Sequence, residues 1–336
     1  MTILLTGGTG FIGSHTAVEL IKSGFEVVIV DDLSNSNVEV LDRIEEIAGV
    51  RPAFIELDLR DYEGTRKVFE TYTFEAVIHF AAKKAVGESV AKPMLYYDVN
   101  LNSLMNLIKL MTEFDRKKLV FSSSCTVYGQ PDVLPVTEST PFQPAESPYG
   151  NTKQICEEII RDQCHIDEYF SSISLRYFNP VGAHESALIG ELPLGVPANL
   201  VPFITQTAAG IREQLKVFGG DYDTSDGTAI RDYIHVVDLA KAHVISVKRL
   251  IDQRQNQNHE FFNLGTGTGS TVLEVIKAFE KVSRVDLNYK IVERRPGDVV
   301  KIFADTAFAN DELGWKAELG LEEMMASAWK WQQALE

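Results

Sequence analysis

Tyr149 and Lys153 stand four residues apart and carry the most chemistry in this sequence. Ser147-Pro148 just before them suits a helix start, serine as the cap and proline at the first helical position. A four-residue step on a helix is about 6 Å along the axis, so the phenol and the ammonium share one face. A tyrosine ordinarily titrates near ~10, and a neighbouring ammonium favours its phenolate. Tyr149 then suits the role of a base. Ser124 ends a Ser122-Ser123-Ser124 run just past a predicted strand that stops at Phe121, and its hydroxyl can hydrogen-bond the same substrate oxygen. A tyrosine and lysine at this spacing also arise as an accidental surface pair, so the reading depends on what accompanies them.

What accompanies them is a glycine-rich turn, Gly7-Gly8-Thr9-Gly10-Phe11-Ile12-Gly13, between a predicted strand and a predicted helix that ends near Ser23-Gly24. Glycines there let a pyrophosphate approach the backbone and the positive end of the helix. The second predicted strand ends in Asp31-Asp32, and Asp31 is placed to accept hydrogen bonds from an adenosine ribose. The first basic residue after it is Arg43, and two carboxylates repel a 2′-phosphate, so NAD is expected rather than NADP. The bland reading is a glycine turn followed by a solvated acidic loop. The positive nicotinamide ring of a bound NAD would join Lys153 in favouring the Tyr149 phenolate. By position, Asp58 and Leu59 flank the adenine, and Phe80, Ala81, Ala82 and Lys84 flank the pyrophosphate and nicotinamide ribose; Phe80 also suits plain core packing.

The elements that must position these groups are legible as short apolar runs alternating with amphipathic stretches. The runs are Ile3 to Leu5, Val27 to Val30, Ala53 to Leu57, Ala76 to Phe80, Leu119 to Phe121 and Ile173 to Tyr177. This rhythm predicts an α/β chain built on a Rossmann-type, doubly wound parallel sheet, with ligands gathering beyond the carboxyl ends of its strands. From about Leu188 the texture changes to a Gly- and Pro-containing stretch and a predicted helix from Asn199 to Arg212. The expected organisation is an NAD-binding domain over residues 1–180, with later segments free to return to it, and a smaller substrate-binding lobe over 181–336. At 336 residues, 45% hydrophobic and 24% charged, the chain is an ordinary globular one. Its net charge of -16 argues against a nucleic-acid partner. Three cysteines without a CxxC spacing suggest neither a disulfide framework nor a thiolate metal site, and no apolar run suggests a leader or membrane span, so a cytoplasmic protein is expected. The seven histidines show no metal-ligand spacing, and His79 and His235 read as structural.

At this point the residues resemble the extended short-chain dehydrogenase/reductases, and within them the UDP-glucose (UDP-galactose) 4-epimerases. The matching segments are GGTGFIGSH from Gly7, FAAKKAVGES from Phe80, SSSCTVYG from Ser122, SPYGNTK from Ser147, RYFNPVGAH from Arg176, DGTAIRDYIHVVDLA from Asp226 and RRPGD from Arg294. The resemblance implies a tightly held NAD, regenerated in each turnover, and Tyr149, Lys153 and Ser124 as the residues at the reacting sugar. In such enzymes the tyrosine takes the proton of the sugar 4-hydroxyl, C4 gives up hydride, the 4-keto sugar swings about its diphosphate, and hydride returns to the other face. For the coenzyme it adds Asp32, Leu33, Ser34, Asn35 and Ser36 after Asp31, together with Ser122 and Phe178. For a UDP-hexose it implies Asn179, Asn199, Leu200, Lys216, Val217, Phe218, Arg231, Arg295, Asp298 and Ile302, and it suggests a homodimer. Arg231 and Arg295 can fork onto diphosphate oxygens. Asn199 also suits a helix cap and Asp298 a structural ion pair.

Two residues depart from the pattern. Cys125 stands where the family commonly has alanine, and Ile302 where some members carry tyrosine and others cysteine. The resemblance puts Ile302 beside the sugar, so acceptance of UDP-N-acetylhexosamines, and with it an N-acetylglucosamine or dual-specificity epimerase, stays open. A nucleotide-sugar 4,6-dehydratase would need an acid pair after Ser124, where Cys125, Thr126 and Val127 stand, and a decarboxylase is disfavoured similarly. A non-catalytic NAD sensor would have no use for Tyr149 and Lys153 at helical spacing.

Overall fold

The apolar runs become strands of one parallel sheet. The computed structural model describes residues 1–294 and 299–335. In chain order the strands are β1 Thr2–Thr6, β2 Glu26–Asp31, β3 Ala53–Glu56, β4 Ala76–His79, β5 Lys118–Ser124, β6 Ser171–Tyr177, β7 Asn179–Val181, β8 Leu215–Phe218, β9 Ile230–His235, β10 His259–Leu264, β11 Gly269–Thr271, β12 Tyr289–Val292 and β13 Lys301–Ile302. The helices are α1 Phe11–Lys22, α2 Val40–Ala48, α3 Tyr62–Thr71, α4 Val86–Ala91, α5 Pro93–Glu113, α6 Pro148–Ile166, α7 Leu200–Ala208, α8 Val236–Ile251, α9 Val272–Ser283 and α10 Leu321–Ala334.

The central sheet has the order β10-β6-β5-β4-β1-β2-β3, and every pairing in it is parallel. The order reverses between β1 and β4, which opens a crevice at their carboxyl ends, the usual place for a ligand in such sheets. Its seventh strand, β10, comes from well beyond residue 180, and α8 packs beside α1 on the same face.

Alternation along the strands decides which helix each side chain meets. Ile3 and Leu5 of β1 join Ala17 and Val18 of α1 and Leu239 and Val247 of α8 on one face. Leu4, between them, joins Leu104 and Leu107 of α5 and Ile160 of α6 on the other. Burying each such side chain contributes roughly 1.5–3 kcal/mol, which fixes α1 and α6 against the sheet whose strand ends carry the polar residues. A third core, with Ile204 of α7, Val217 of β8, Phe279 of α9 and Met325 of α10, underlies the smaller lobe.

Three sequence expectations shift. The strand predicted to stop at Phe121 runs through Ser124, because Ser122, Ser123 and Ser124 continue the ladder opposite Leu175, Arg176 and Tyr177. The helix predicted from Asn199 to Arg212 ends at Ala208, ahead of Gly210 at φ 75°, a left-handed turn that glycine tolerates. The strand β10 was not read from the sequence at all.

Candidate active site

The glycine turn does what its spacing demands. Gly7 has φ 72°, and a Cβ on it would lie 2.7 Å from the Ala81 backbone nitrogen; a Cβ on Gly13 would run into the Gly7 carbonyl and lie 2.8 Å from Gly8 Cα. The turn, the start of α1 and the loop after β4 are thus in backbone contact, and only glycines keep the cradle open. Gly10 caps α1 without a side chain, leaving Phe11 and Ile12 at the positive end of the helix dipole.

Asp31 ends β2 buried beside this turn. Its Oδ2 accepts from the Thr9 N–H at 3.2 Å, and its Oδ1 from the Leu33 N–H at 3.0 Å and the Ser36 hydroxyl at 3.1 Å. Oδ1 is thereby filled, and Oδ2 keeps one accepting site for a ribose hydroxyl. Asp32 is exposed and turns to the Ser34 N–H at 2.9 Å, and Asn35 is exposed as well. Across the turn, Lys83 Nζ donates to the Ser34 hydroxyl at 3.1 Å, tying the loop after β2 to the loop after β4. Asp58 is held by the Arg60 guanidinium, which keeps its carboxyl below the usual range, and the Leu59 side chain is buried in the core. Phe80 packs 4.6 Å from the His243 ring and is core as much as cleft; Ala81 and Ala82 are partly buried beside it.

At the carboxyl end of β5 the reactive groups converge. Ser147 caps α6, accepting from the Gly150 N–H at 3.2 Å, and Pro148 occupies the first position, so Tyr149 and Lys153 share the face that meets β5. Lys153 Nζ donates to the Ser122 carbonyl at 2.6 Å and lies 5.9 Å from the Tyr149 ring centroid. Ser124 is buried and hydrogen-bonds Tyr149, which itself is partly buried.

The expected acidity of the phenol is not a property of the chain alone. Burial pushes Tyr149 up to about 12, with the Ser124 hydrogen bond pulling only partly the other way. Burial also lowers Lys153 to about 8, because desolvation penalises the ammonium. The lysine spends its shortest hydrogen bond on a backbone carbonyl, so its effect on the phenol is through space. Any phenolate near neutral pH therefore requires a further positive charge in the cleft.

The predicted substrate residues fall in two clusters. β7, β9, β11 and β13 form a small sheet in which Arg231 stands opposite Ile302 and Asn179 opposite Tyr233. Ile302 is buried with Phe178, Val127 and Tyr128, and Cys125 packs against this group, so the position that the resemblance puts beside the sugar adjoins the residues just after β5 and β6. The second cluster includes Asn199, which precedes α7 but does not cap it with its side chain; instead Nδ2 donates to Glu191 at 2.6 Å. Glu191 also lies 3.6 Å from Lys84 Nζ, so one carboxylate joins the loop after β4 to the start of α7 beside Leu200. On β8, Lys216 and Phe218 are exposed while Val217 lies in the third core, which leaves Val217 only its backbone to offer a ligand. Arg295 and Asp298 lie outside the described residues.

Of the two histidines expected to be structural, His79 shares a 2.7 Å hydrogen bond with Thr6 Oγ1 and stacks on Phe121, and His235 caps α8. Sequence reasoning missed Glu191, Glu157 and Asn100. The last is buried and joins Lys83 to Thr152 of α6. For Glu157 and Asn100, whose partners lie far away in sequence, the available signal was a polar residue at a position whose helical period calls for an apolar one; Glu191 lies outside any helix or strand and carried no such signal.

The family model for GDP-mannose 4,6 dehydratase matches residues 4–328. UDP-glucose 4-epimerase of Bacillus subtilis (strain 168) is 53% identical over 334 residues, covering 99% of this chain and 97% of that protein. Among solved structures, UDP-glucose 4-epimerase from Bifidobacterium longum in complex with NAD+ and UDP superposes with a TM-score of 0.95 at 49% identity, covering 99% of this chain and 98% of that one. The enzyme from Stenotrophomonas maltophila with bound NAD and formylated UDP-arabinopyranose gives 0.96 at 47%, covering 100% and 98%.

Proposed function

We propose, since this chain belongs to the UDP-glucose 4-epimerases of the extended short-chain dehydrogenase/reductase family, that it interconverts UDP-glucose and UDP-galactose with resident NAD. The observation that carries the reading is the convergence of Tyr149, Lys153 and Ser124 at the carboxyl ends of β5 and α6's first turn, beside a glycine cradle. The cradle fits a dinucleotide: side chains at Gly7 and Gly13 would fill it, and Asp31 faces it with accepting capacity to spare. Bound there, NAD supplies a hydride acceptor that is regenerated within each turnover.

The chain's residues do the rest. Tyr149 takes the proton of the sugar 4-hydroxyl as the C4 hydrogen leaves, and returns it after the 4-keto sugar has presented its other face. Ser124 holds the same oxygen in line. Lys153, fixed by Ser122, holds its charge near the phenol. Arg231 and Asn179 on the small sheet, Asn199 and Leu200 at α7, Lys216 and Phe218 on β8, and Arg295 with Asp298 are assigned to the nucleotide and diphosphate. Residues 1–180 with β10 and α8 form the coenzyme domain in this reading, and the remainder the substrate lobe.

A homodimer in the cytoplasm completes the proposal. Val86, Val90 and Met94 leave an exposed apolar row along α4 and the start of α5, which suits a second copy of the chain, and the three cysteines are unpaired, which suits a reducing compartment. No helix among the described residues is long and apolar enough to cross a membrane. The test is to supply UDP-galactose to the purified, NAD-bearing protein and follow UDP-glucose through a coupled UDP-glucose dehydrogenase. Product formation that Tyr149→Phe abolishes is the expected result, and its absence from the unmodified protein refutes the reading.

A further inference from the structure

Lys153 is followed one turn later on α6 by Glu157, an acid that is 3% exposed beneath the active strand. The two side chains anchor α6 to consecutive residues of β5. Lys153 Nζ donates to the Ser122 carbonyl at 2.6 Å, and the fully buried Ser123 hydroxyl donates to Glu157 Oε1 at 2.5 Å. The next residue is Ser124. Arg176, opposite Ser123 in the ladder, forks onto the same carboxylate through Nε at 2.9 Å and Nη2 at 2.6 Å. Its guanidinium is walled in by the rings of Phe261 at 4.4 Å and Tyr128 at 5.3 Å.

A buried ion pair of this kind yields little net stability compared with an apolar filling of the same volume. What it provides is direction, because a bidentate guanidinium and a hydroxyl together fix the plane and the position of a carboxylate. We propose that Glu157 is a positioning residue of the epimerisation: clamped by Ser123 and Arg176, it locks α6 onto β5 so that Tyr149 and Ser124 meet one substrate oxygen. The inference rests on the epimerase reading. It adds a residue that never touches substrate, acting through Ser123 on one side and through its own helix on the other.

Glu157 also sets charge. The groups facing Lys153 are Tyr149, Cys156 and Glu157 on its own helix, the Ser122 carbonyl and Phe121 ring on β5, and His79 on β4; from β6, Arg176 reaches Glu157 and the Tyr177 hydroxyl is bound to Ser122 Oγ. Cys156 and Glu157 oppose the desolvation that lowers the Lys153 ammonium.

The experiment uses the full chain loaded with NAD and measures kcat and KM for UDP-galactose against pH, with Tm alongside. Ser123→Ala removes one hydrogen bond and keeps the ion pair, so it folds; kcat is expected to fall about tenfold with KM held within about twofold, the size expected of a small misplacement of reacting groups. Glu157→Gln is expected to lower kcat further and to move the alkaline limb of the profile, where Lys153 loses its proton, about one pH unit toward acid. Glu157→Asp restores the charge and is expected to return that limb while kcat stays low. Wild-type kcat in Ser123→Ala, or an unmoved limb in Glu157→Gln with only Tm reduced, makes the pair scaffolding and overturns the proposal. A wild-type protein that does not epimerise removes instead the reading on which it rests.

Discussion

Lys153→Met separates the two jobs assigned to this lysine. Methionine keeps the unbranched apolar stem and removes the ammonium. Nζ lies 5.9 Å from the centroid of the Tyr149 ring, over which a phenolate charge is spread. Two unit charges at that separation interact by ~3 kcal/mol at an effective dielectric of about 20. At ~1.4 kcal/mol per unit, this is about two pKa units. Losing a cation disfavours the phenolate, so the variant's phenol titrates higher than the wild type's. Below both values the reactive fraction, and with it kcat, falls about 100-fold, and the acid limb of log kcat moves up by about two pH units. A second effect differs in kind: the Ser122 carbonyl loses its 2.6 Å donor, which costs about 1–3 kcal/mol of stability if no other donor reaches it and does not depend on pH. The assay is kcat for UDP-galactose between about pH 6 and pH 10, with bound NAD quantified after denaturation so that lost coenzyme is not mistaken for lost acidity. A variant slowed by one constant factor at every pH, its acid limb where the wild type has it, refutes the electrostatic account and leaves Lys153 an anchor only.

The other predictions rest on separate features. Tyr149→Phe occupies the same space and lacks the only oxygen assigned as base, so kcat should drop by ~10²–10⁴ with NAD content unchanged; activity within about tenfold of wild type by the same coupled assay contradicts the assignment. Gly13→Ala puts a Cβ against the Gly7 carbonyl and 2.8 Å from Gly8 Cα, so the purified variant should carry much less NAD per chain than wild type; equal content in an extract of denatured protein shows that the cradle is elsewhere. Burial lowers His15, His79 and His259 from 6.5 to about 3, and His235 and His243 to about 4. These groups fold neutral, so their stability is complete above ~6.5 and is lost as pH falls toward the folded values. At pH 5 each costs ~2 kcal/mol, together comparable with a whole domain's ~5–15 kcal/mol. Tm should fall steeply between about pH 6.5 and pH 5, and a flat Tm across that window contradicts the histidine account.

How much of this was legible in the sequence follows from the range of each interaction. Alternating apolar runs reported the first six strands of the sheet, since each strand's burial is written in its own residues. They misplaced the end of β5, where Ser122 to Ser124 look like loop but are held in the ladder by Leu175, Arg176 and Tyr177 some fifty positions on. They missed β10 because its place beside β6 depends on a connection of about eighty residues, which no local pattern encodes. The glycine turn and the Tyr149-Lys153 step were readable because both are short-range geometry. The Lys84-Glu191-Asn199 bridge and the Glu157 clamp were not, since each joins residues brought together only by the finished fold.

The acidity of Tyr149 is the instructive failure. Spacing alone puts a cation one turn from the phenol and argues for a low pKa, yet the burial that creates the reaction chamber acts on both groups, raising one to about 12 and lowering the other to about 8. The two shifts work against the phenolate from opposite sides, so the protein by itself holds Tyr149 protonated and leaves Lys153 poised to lose its charge. A site arranged this way is inert as a base until a further cation enters beside the phenol, which makes tight retention of the coenzyme a requirement of the acid–base chemistry as well as of the redox step. It follows that extracting NAD should abolish proton transfer by Tyr149 together with hydride transfer. A spectroscopic titration of the tyrosines in apo and loaded protein should therefore reveal one phenol that titrates near neutral pH only in the loaded form.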